Sequence, residues 1–218
     1  MTVAVPAIVV AGASRGVGFE VVKILRQQGC SVLALLHSED TQALLIRLGA
    51  TAKVVNLLDP QATAAALAAW ADRPLAVVTT VGGTGLDRKA PRADYWANRN
   101  LIDAVNPLPC QRFLLVSALG AGRGAIAAPA LPRPVLLAKT KAEEHLIASG
   151  LPYTILRLGK LRSPWMSAHD LTPTRDPGNG DLSRLDAAAW VVQCLRSPHT
   201  YNQILAVEGG GQGLAERL

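Results

Sequence analysis

The stretch AIVVAGASRGVGFEVV, residues 7–22, decides the fold of this chain. An apolar run is followed by Gly12, Gly16 and Gly18 and then by an amphipathic segment, so a buried strand, a tight turn and a helix succeed one another. Glycines remove the Cβ atoms that would keep phosphate oxygens from the backbone N–H groups, and a helix N-terminus attracts negative charge. We therefore predict a turn that binds a diphosphate, against the alternative of a turn that serves helix packing alone.

The rest of the chain repeats this alternation of short apolar runs and longer helical stretches. Two of the predicted helices are one that begins with Asp59 as its N-cap and Pro60 in its first turn, and one over residues 92–105. The alternation predicts an α/β fold with a doubly wound, mainly parallel sheet of about seven strands and helices on both faces. We expect one domain over residues 1–208 and a flexible tail over 209–218. Residues 119–135 and 159–182 contain too much Gly and Pro for regular elements, and we expect loops there that form the acceptor site at the carboxyl edge of the sheet.

Composition argues against several classes of protein. The net charge is +6, but Lys and Arg are scattered, so we expect no nucleic-acid partner. The apolar N-terminal run lacks a basic leader and is too short to span a bilayer, so we expect no membrane partner. Cys30, Cys110 and Cys194 form no C-x-x-C pair, so the sequence predicts neither a disulfide framework nor a metal site. A cytoplasmic monomer is the expectation.

The end of the second predicted strand, LLHSED, indicates the preferred nucleotide. An NAD site places a carboxylate at the strand tip, on the ribose 2′-hydroxyl. Here His37 and Ser38 occupy the tip, and Glu39 and Asp40 follow one or two residues late. NADPH is therefore preferred to NADH. His37 is either a polar strand-end residue or, when protonated, a partner for the 2′-phosphate.

The glycine spacing G-x-x-x-G-x-G resembles that of the short-chain dehydrogenase/reductases. Further segments extend the resemblance over residues 7 to about 207. In the order of the chain they are VVNLLDP (54–60), VGGTG (81–85), RNLIDAV (99–105), FLLVSALGAG (113–122), KTKAEEHLIASGLPYTILRLGKL (139–161) and SRLDAAAWVVQCL (183–195). The chain is similar to the atypical NAD(P)H-binding, NmrA-like group, in the branch of the biliverdin reductase B and flavin reductase type.

This resemblance implies a Rossmann-like fold that binds NADPH. It implies that Arg15 meets the adenosine 2′-phosphate; the alternative is a solvated loop arginine. The adenine-contacting segment of the family corresponds to Asn56 and Leu57. The complete set of implied cofactor-binding residues is Gly12, Ser14, Arg15, Gly16, Val17, Gly18, His37, Asn56, Leu57, Val81, Gly82, Gly83, Ser117, Leu158 and Gly159.

The catalytic tyrosine of the family is missing. Tyr-dependent members place Tyr and Lys four residues apart on one helix face, and counting back from Lys141 gives Leu137. We therefore expect no alcohol–ketone proton relay. Lys141 either holds the nicotinamide ribose hydroxyls or faces solvent. Ser117 is hydrogen-bonded to the nicotinamide amide, to the acceptor or to its own backbone.

Without that relay, the chemistry that remains is direct hydride transfer from nicotinamide to a planar acceptor. The acceptor is a flavin (FMN, FAD or riboflavin) or a bilin, with flavin as substrate rather than prosthetic group. Lys160 and Arg123 are candidate partners for an acidic group, and Trp165 with Met166 can pack on a flat ring. Each of these is otherwise an ordinary loop residue. The alternative functions are an NADPH-binding sensor or assembly protein without turnover, and a quinone or enone reductase.

Overall fold

The elements of the fold are those of a computed structural model, which describes residues 7–83, 92–122, 131–162 and 182–207. The strands are β1 Ala7–Ala11, β2 Val32–Leu36, β3 Thr51–Val54, β4 Leu75–Thr79, β5 Cys110–Ala118, β6 Tyr153–Leu158, β7 Leu161–Arg162, β8 Leu182–Ser183 and β9 Gln203–Val207. The α-helices are α1 Gly16–Gln27, α2 Gln42–Arg47, α3 Pro60–Leu67, α4 Asn98–Val105, α5 Arg133–Ala148 and α6 Arg184–Arg196.

Seven of these strands form one sheet in the order β3-β2-β1-β4-β5-β6-β9. Every neighbouring pair is parallel. The predicted doubly wound parallel sheet is therefore confirmed. The chain changes direction across the sheet between β1 and β4, and ligands of open α/β sheets bind at such a point, outside the carboxyl ends of the strands. Ala11 pairs with Thr79, so Gly12 and Thr80 leave the sheet side by side.

Helices cover both faces of the sheet, and each face has its own apolar core. One core lies under α1, α2 and α6, and the other under α3, α4 and α5. Val9 and Val10 are both completely buried, one in each core. A strand buried on both sides gives the unbroken apolar runs seen in the sequence, and each buried Val or Leu contributes about 1.5–3 kcal/mol.

Two local features set the geometry on the α3–α4 side. As the sequence predicts, Asp59 caps α3, since its carboxylate accepts hydrogen bonds from the N–H groups of Gln61 and Ala62, and Pro60 opens the helix. The helix predicted over residues 92–105 differs from the expectation at its start. Ala93–Ala97 forms a π-helical turn before α4 begins. Such turns change which side chains face inward, and they occur often at functional sites.

No helix in the described ranges has the length and apolar character needed to cross a membrane. Within the same ranges, no group of three or more His, Cys, Asp or Glu side chains is arranged to hold a metal ion. The three cysteines are free. The predicted tail, residues 209–218, lies outside the described residues.

Candidate active site at the carboxyl edge of the sheet

The glycine turn is shaped by close backbone contact with the end of β4. A Cβ on Gly12 would lie 2.8 Å from Thr80 Oγ1, and a Cβ on Gly18 would lie 2.5 Å from the same atom. Gly12 also has φ of +80°, which side-chain-bearing residues rarely adopt. The Thr80 hydroxyl donates to the carbonyl oxygens of Ala11 and Gly12, each at 3.2 Å. Gly12 and Gly18 are therefore required for packing within the turn.

Gly16, in contrast, has no close contact that a side chain would disturb. It has φ of +62°, and the nearest atoms to a Cβ there would be those of the Arg184 side chain, at 3.8 Å. Arg15, the N-cap residue of α1, has extended backbone and makes no side-chain cap hydrogen bond. The first N–H groups of α1 thus have no capping side chain, and no Cβ covers them at Gly16. This cradle fits a phosphate oxygen at a helix N-terminus, while Val17 is buried against the sheet.

Ser14 joins the loops that follow β1 and β2. Its side chain is buried, and its Oγ accepts a hydrogen bond from the backbone N–H of His37 at 3.2 Å. The His37 ring nitrogen Nδ1 lies 3.0 Å from the same oxygen. Thr41 donates to the Ser14 carbonyl at 3.1 Å. Ser14 therefore fixes the position of His37 relative to the glycine turn.

The tip of β2 presents polar side chains at the surface. Arg15 and His37 are both exposed. Asp40 is exposed too, and its carboxylate accepts a hydrogen bond from the Ser38 hydroxyl at 2.8 Å. The expected arrangement, with polar residues at the tip and carboxylates further along, is therefore present in the structure.

The loop between β3 and α3 carries Asn56 and Leu57. Asn56 is exposed, and its side-chain oxygen accepts from the N–H of Leu58 at 3.1 Å. Leu57 is half-buried, and its carbonyl accepts from Asn100 Nδ2 at 2.9 Å. Asn100 therefore braces this loop against α4.

The loop after β4, residues 81–83, is held by a different asparagine. Asn98 is fully buried, its Oδ1 accepts from the Thr79 hydroxyl at 2.6 Å, and its Nδ2 donates to the Val81 carbonyl at 3.1 Å. Sequence reasoning missed Asn98, which lies two residues before Asn100. The sequence feature that points to Asn98 is its helical spacing from Leu101, Ile102 and Val105, which places it on the same inward face of α4.

An ion pair lies directly beneath this loop. Asp94 Oδ1 is 2.7 Å from Lys139 Nζ, and their side chains are 0% and 12% exposed. Asp94 Oδ2 accepts from the N–H of Gly83 at 3.0 Å. A Cβ on Gly82 would lie 2.5 Å from Asp94 Oδ1 and 2.8 Å from Lys139 Nζ. The loop backbone therefore rests on the ion pair, and only glycine fits at position 82.

The structure gives the inward position on α5 to Lys139 and not to Lys141. Lys141 is exposed, with its Nζ 5.9 Å from the centre of the Tyr95 ring, and Leu137 is exposed as well. Helix phase is the reason, because Lys139 is four residues after buried Val135 and three before buried Ala142. The spacing of the buried apolar residues along the helix is the sequence feature that points to Lys139 as the inward lysine. Val135 then occupies the position four residues before the lysine.

Ser117, at the end of β5, belongs to a buried polar network. Its hydroxyl donates to Glu143 Oε1 at 2.5 Å. Arg157 donates to both oxygens of the same carboxylate, from Nε at 3.1 Å and from Nη2 at 2.5 Å. The paired Glu143 carboxylate raises the pKa of Arg157 above its ordinary value. Sequence reasoning missed both Glu143 and Arg157. None of the three partners expected for Ser117 was a side chain of the protein, whereas in the structure its hydroxyl donates to the Glu143 carboxylate on α5.

The remaining predicted residues follow β6. Leu158 is buried, and the Gly159 N–H donates to the Val207 carbonyl at 2.8 Å, which ties this loop to β9. Lys160 is exposed, and its carbonyl accepts from the N–H of Leu182 at 2.9 Å. The other predicted acceptor residues, Arg123, Trp165 and Met166, lie outside the described residues.

Comparisons with known proteins agree with this geometry. A family model described as NAD(P)H-binding matches residues 12–198. The chain is 31% identical over 208 residues to a protein of Bacillus subtilis named as an uncharacterised sugar epimerase, YhfK, covering 95% of this chain and 96% of that protein. It is 27% identical over 140 residues to sanguinarine reductase of Eschscholzia californica, covering 57% and 48%. The solved structure of ChuY, an anaerobillin reductase from Escherichia coli O157:H7, superposes with a TM-score of 0.76 at 25% identity, covering 95% and 98%.

Proposed function

Because the chain belongs to the NAD(P)H-binding family, we propose that it is an NADPH-dependent reductase acting directly on a planar acceptor, such as a flavin or a bilin. When bound, reduced nicotinamide supplies the hydride from its ring carbon C4. The protein then has to hold the two reactants face to face.

One observation carries this proposal: among the described residues, no tyrosine stands four residues before the inward lysine of α5. Val135 stands four residues before Lys139, where a Tyr-dependent enzyme would carry its acid. The Ser117 hydroxyl has a single proton, and Glu143 accepts it. Tyr153 and Tyr201 lie by the amino ends of the strands, opposite the cleft. Direct hydride transfer to a conjugated acceptor suits such a site, since water can supply the proton.

The described residues fit a dinucleotide along this edge. The N–H groups of α1 at Gly16 would bind the diphosphate, with Gly12, Val17 and Gly18 shaping the turn. Arg15 and His37 would bind the 2′-phosphate, which favours NADPH over NADH. Asn56 and Leu57 would contact the adenine, Val81, Gly82 and Gly83 the ribose, and Ser117, Leu158 and Gly159 the nicotinamide.

We assign to Lys139 the role that the sequence suggested for Lys141, namely to hold the hydroxyls of the nicotinamide ribose. Its ammonium lies against Asp94, under Gly82, whereas that of Lys141 lies 5.9 Å from the centre of the Tyr95 ring. Lys160 is exposed beside the strand end and suits an acidic substituent of the acceptor. The sequence relation to sanguinarine reductase and the structural likeness to ChuY support a planar acceptor.

Transfer of deuterium tests the proposal. NADPH that carries deuterium at C4 is mixed with the protein and FMN, riboflavin, biliverdin, a quinone or an enone in separate reactions. Sustained oxidation of NADPH, with deuterium passed to a carbon acceptor or a primary isotope effect with a flavin, is the expected result. Tight NADPH binding without turnover on any acceptor would instead support the sensor or assembly role. Turnover of a sugar substrate alone would favour the activity named for the Bacillus subtilis relative.

A further inference from the structure

The buried carboxylate of Asp94 has no role in the proposed reaction so far. It lies in the π-helical turn before α4, is completely buried and faces the loop that borders the cleft. The turn directs Asp94 inward, whereas its neighbour Tyr95 is half-buried and Trp96 is exposed. A π-helical turn alters the inward face of a helix by one residue, which is how this carboxylate reaches the loop.

The carboxylate of Asp94 has two partners among the described residues. One oxygen accepts from the N–H of Gly83 at 3.0 Å, and the other is 2.7 Å from Lys139 Nζ. The second contact is an ion pair without the alignment of a hydrogen bond. Burial deprives both charges of hydration, so removing either partner leaves the other charge uncompensated. Asp94 thus sets the position of a flexible lysine and cancels its charge.

We infer that Asp94 is a positioning residue that fixes Lys139 beneath the nicotinamide ribose and neutralises its charge, so that the site can hold the oxidised as well as the reduced coenzyme. This inference depends on the proposed function, since it assigns the ribose to Lys139. Oxidised nicotinamide carries a positive charge and reduced nicotinamide carries none. An unpaired Lys139 would therefore repel the oxidised form selectively, whereas the neutral Asp94–Lys139 pair repels neither form of the nicotinamide.

The test compares the affinities of the oxidised and reduced coenzymes in one variant. In Asp94→Asn, the ratio of the dissociation constant of NADP⁺ to that of NADPH is expected to rise at least about tenfold, which is the effect of one added charge about 12 Å from the ring at an effective dielectric constant near 20. Calorimetry and NADPH fluorescence measure the two constants without turnover. Affinity for adenosine 2′,5′-bisphosphate, which lacks the nicotinamide half, is expected to stay unchanged.

Two further variants separate electrostatics from structure. The double variant Asp94→Asn/Lys139→Met removes both charges, so its ratio is expected to return to that of the parent protein even though both coenzymes bind more weakly. Asp103→Asn is the matched control, because it makes the same charge change on the same segment at an exposed carboxylate. Its ratio is expected to be unchanged. If Asp94→Asn does not fold, the double variant is compared with Lys139→Met alone, whose unpaired carboxylate is expected to lower the ratio.

The outcomes distinguish the inference from the function on which it depends. If the parent protein binds neither NADP⁺ nor NADPH, the proposed function fails. If it binds both, and Asp94→Asn weakens both to the same extent, Asp94 has a structural role only and the inference is overturned. A ratio that shifts in Asp94→Asn and stays shifted in the double variant would overturn it too.

Discussion

At the residue scale, Arg15 and Lys139 show how position decides what a charge can do. Arg15 is exposed beside Gly16, at the start of α1. Lys139 is nearly buried against Asp94. An exposed arginine can bind a phosphate at little cost, whereas a nearly buried lysine is held in place by its carboxylate.

Arg15→Ala is expected to weaken binding of NADPH by about 1–3 kcal/mol and to leave NADH nearly unchanged, because charge-assisted hydrogen bonds to the 2′-phosphate are lost. Calorimetric titration with each coenzyme measures the effect. Arg47→Ala, at an exposed arginine in the last turn of α2, is the control for the change in net charge. Equal losses for NADPH and NADH would remove the assignment of Arg15.

Lys139→Met is expected to lower the free energy of unfolding by about 3–5 kcal/mol, because it leaves Asp94 buried without its counter-ion. Lys141→Met, two residues along the same helix, is expected to stay within about 0.5 kcal/mol of the parent protein, since Lys141 is exposed. Urea unfolding of both variants makes the comparison. A larger loss at Lys141 would show that the phase of α5 is wrong.

At the element scale, the glycine turn is a joint between β1, α1 and the end of β4. Gly18, inside α1, has no room for a side chain because Thr80 and the backbone of Gly12 occupy that space. The helix therefore packs closer to the sheet than any other residue would allow, and its N-terminus points at the strand ends. The same close approach gives the turn its shape and its open N–H groups.

Gly18→Ala is expected to move α1 away from β4, because the clash involves backbone as well as a side chain. We expect a loss of coenzyme affinity of at least about tenfold, together with destabilisation of about 1–3 kcal/mol, the usual cost of overpacking. Gly29→Ala is the control: nothing lies within 4 Å of its Cβ, and its φ of +76° carries a strain of about 1–2 kcal/mol. Coenzyme affinity unchanged in Gly18→Ala would contradict this account of the turn.

At the scale of the whole molecule, the sheet separates a functional edge from a structural one. Polar residues at the amino edge are tied into the fold: Arg112 is buried, and it donates to Thr200 Oγ1 at 2.9 Å and to the Ser197 carbonyl at 2.5 Å. Burial lowers the pKa of Arg112, and the neighbouring Tyr201 opposes that effect. Arg112 therefore joins β5 to the segment that leads into β9.

Cys194 lies near this edge, and its buried thiol makes the free energy of unfolding depend on pH. Burial raises the pKa of its thiol from 9.0 to about 11, with Arg112 opposing the rise. Above pH 9 the unfolded chain releases this proton while the folded chain keeps it, so the free energy of unfolding falls as pH rises from about 9 to 11. Between pH 7.5 and 10.5 the decrease is expected to be about 2 kcal/mol smaller in Cys194→Ala. Urea unfolding at the two pH values measures it. An identical pH dependence in both proteins would contradict the burial of the thiol.

The sequence by itself determined the parallel sheet, the glycine turn and the order of the elements, because the period of apolar residues and the positions of Gly and Pro are local signals. It also identified Asp59 as a helix cap. It did not determine which lysine of α5 lies inward, which asparagine holds the loop after β4, or that Asp94 and Glu143 are buried charges, the latter paired with Arg157. Only the tertiary structure decided these, because a charged residue is buried only where a partner distant in sequence meets it, and local pattern carries no record of that partner.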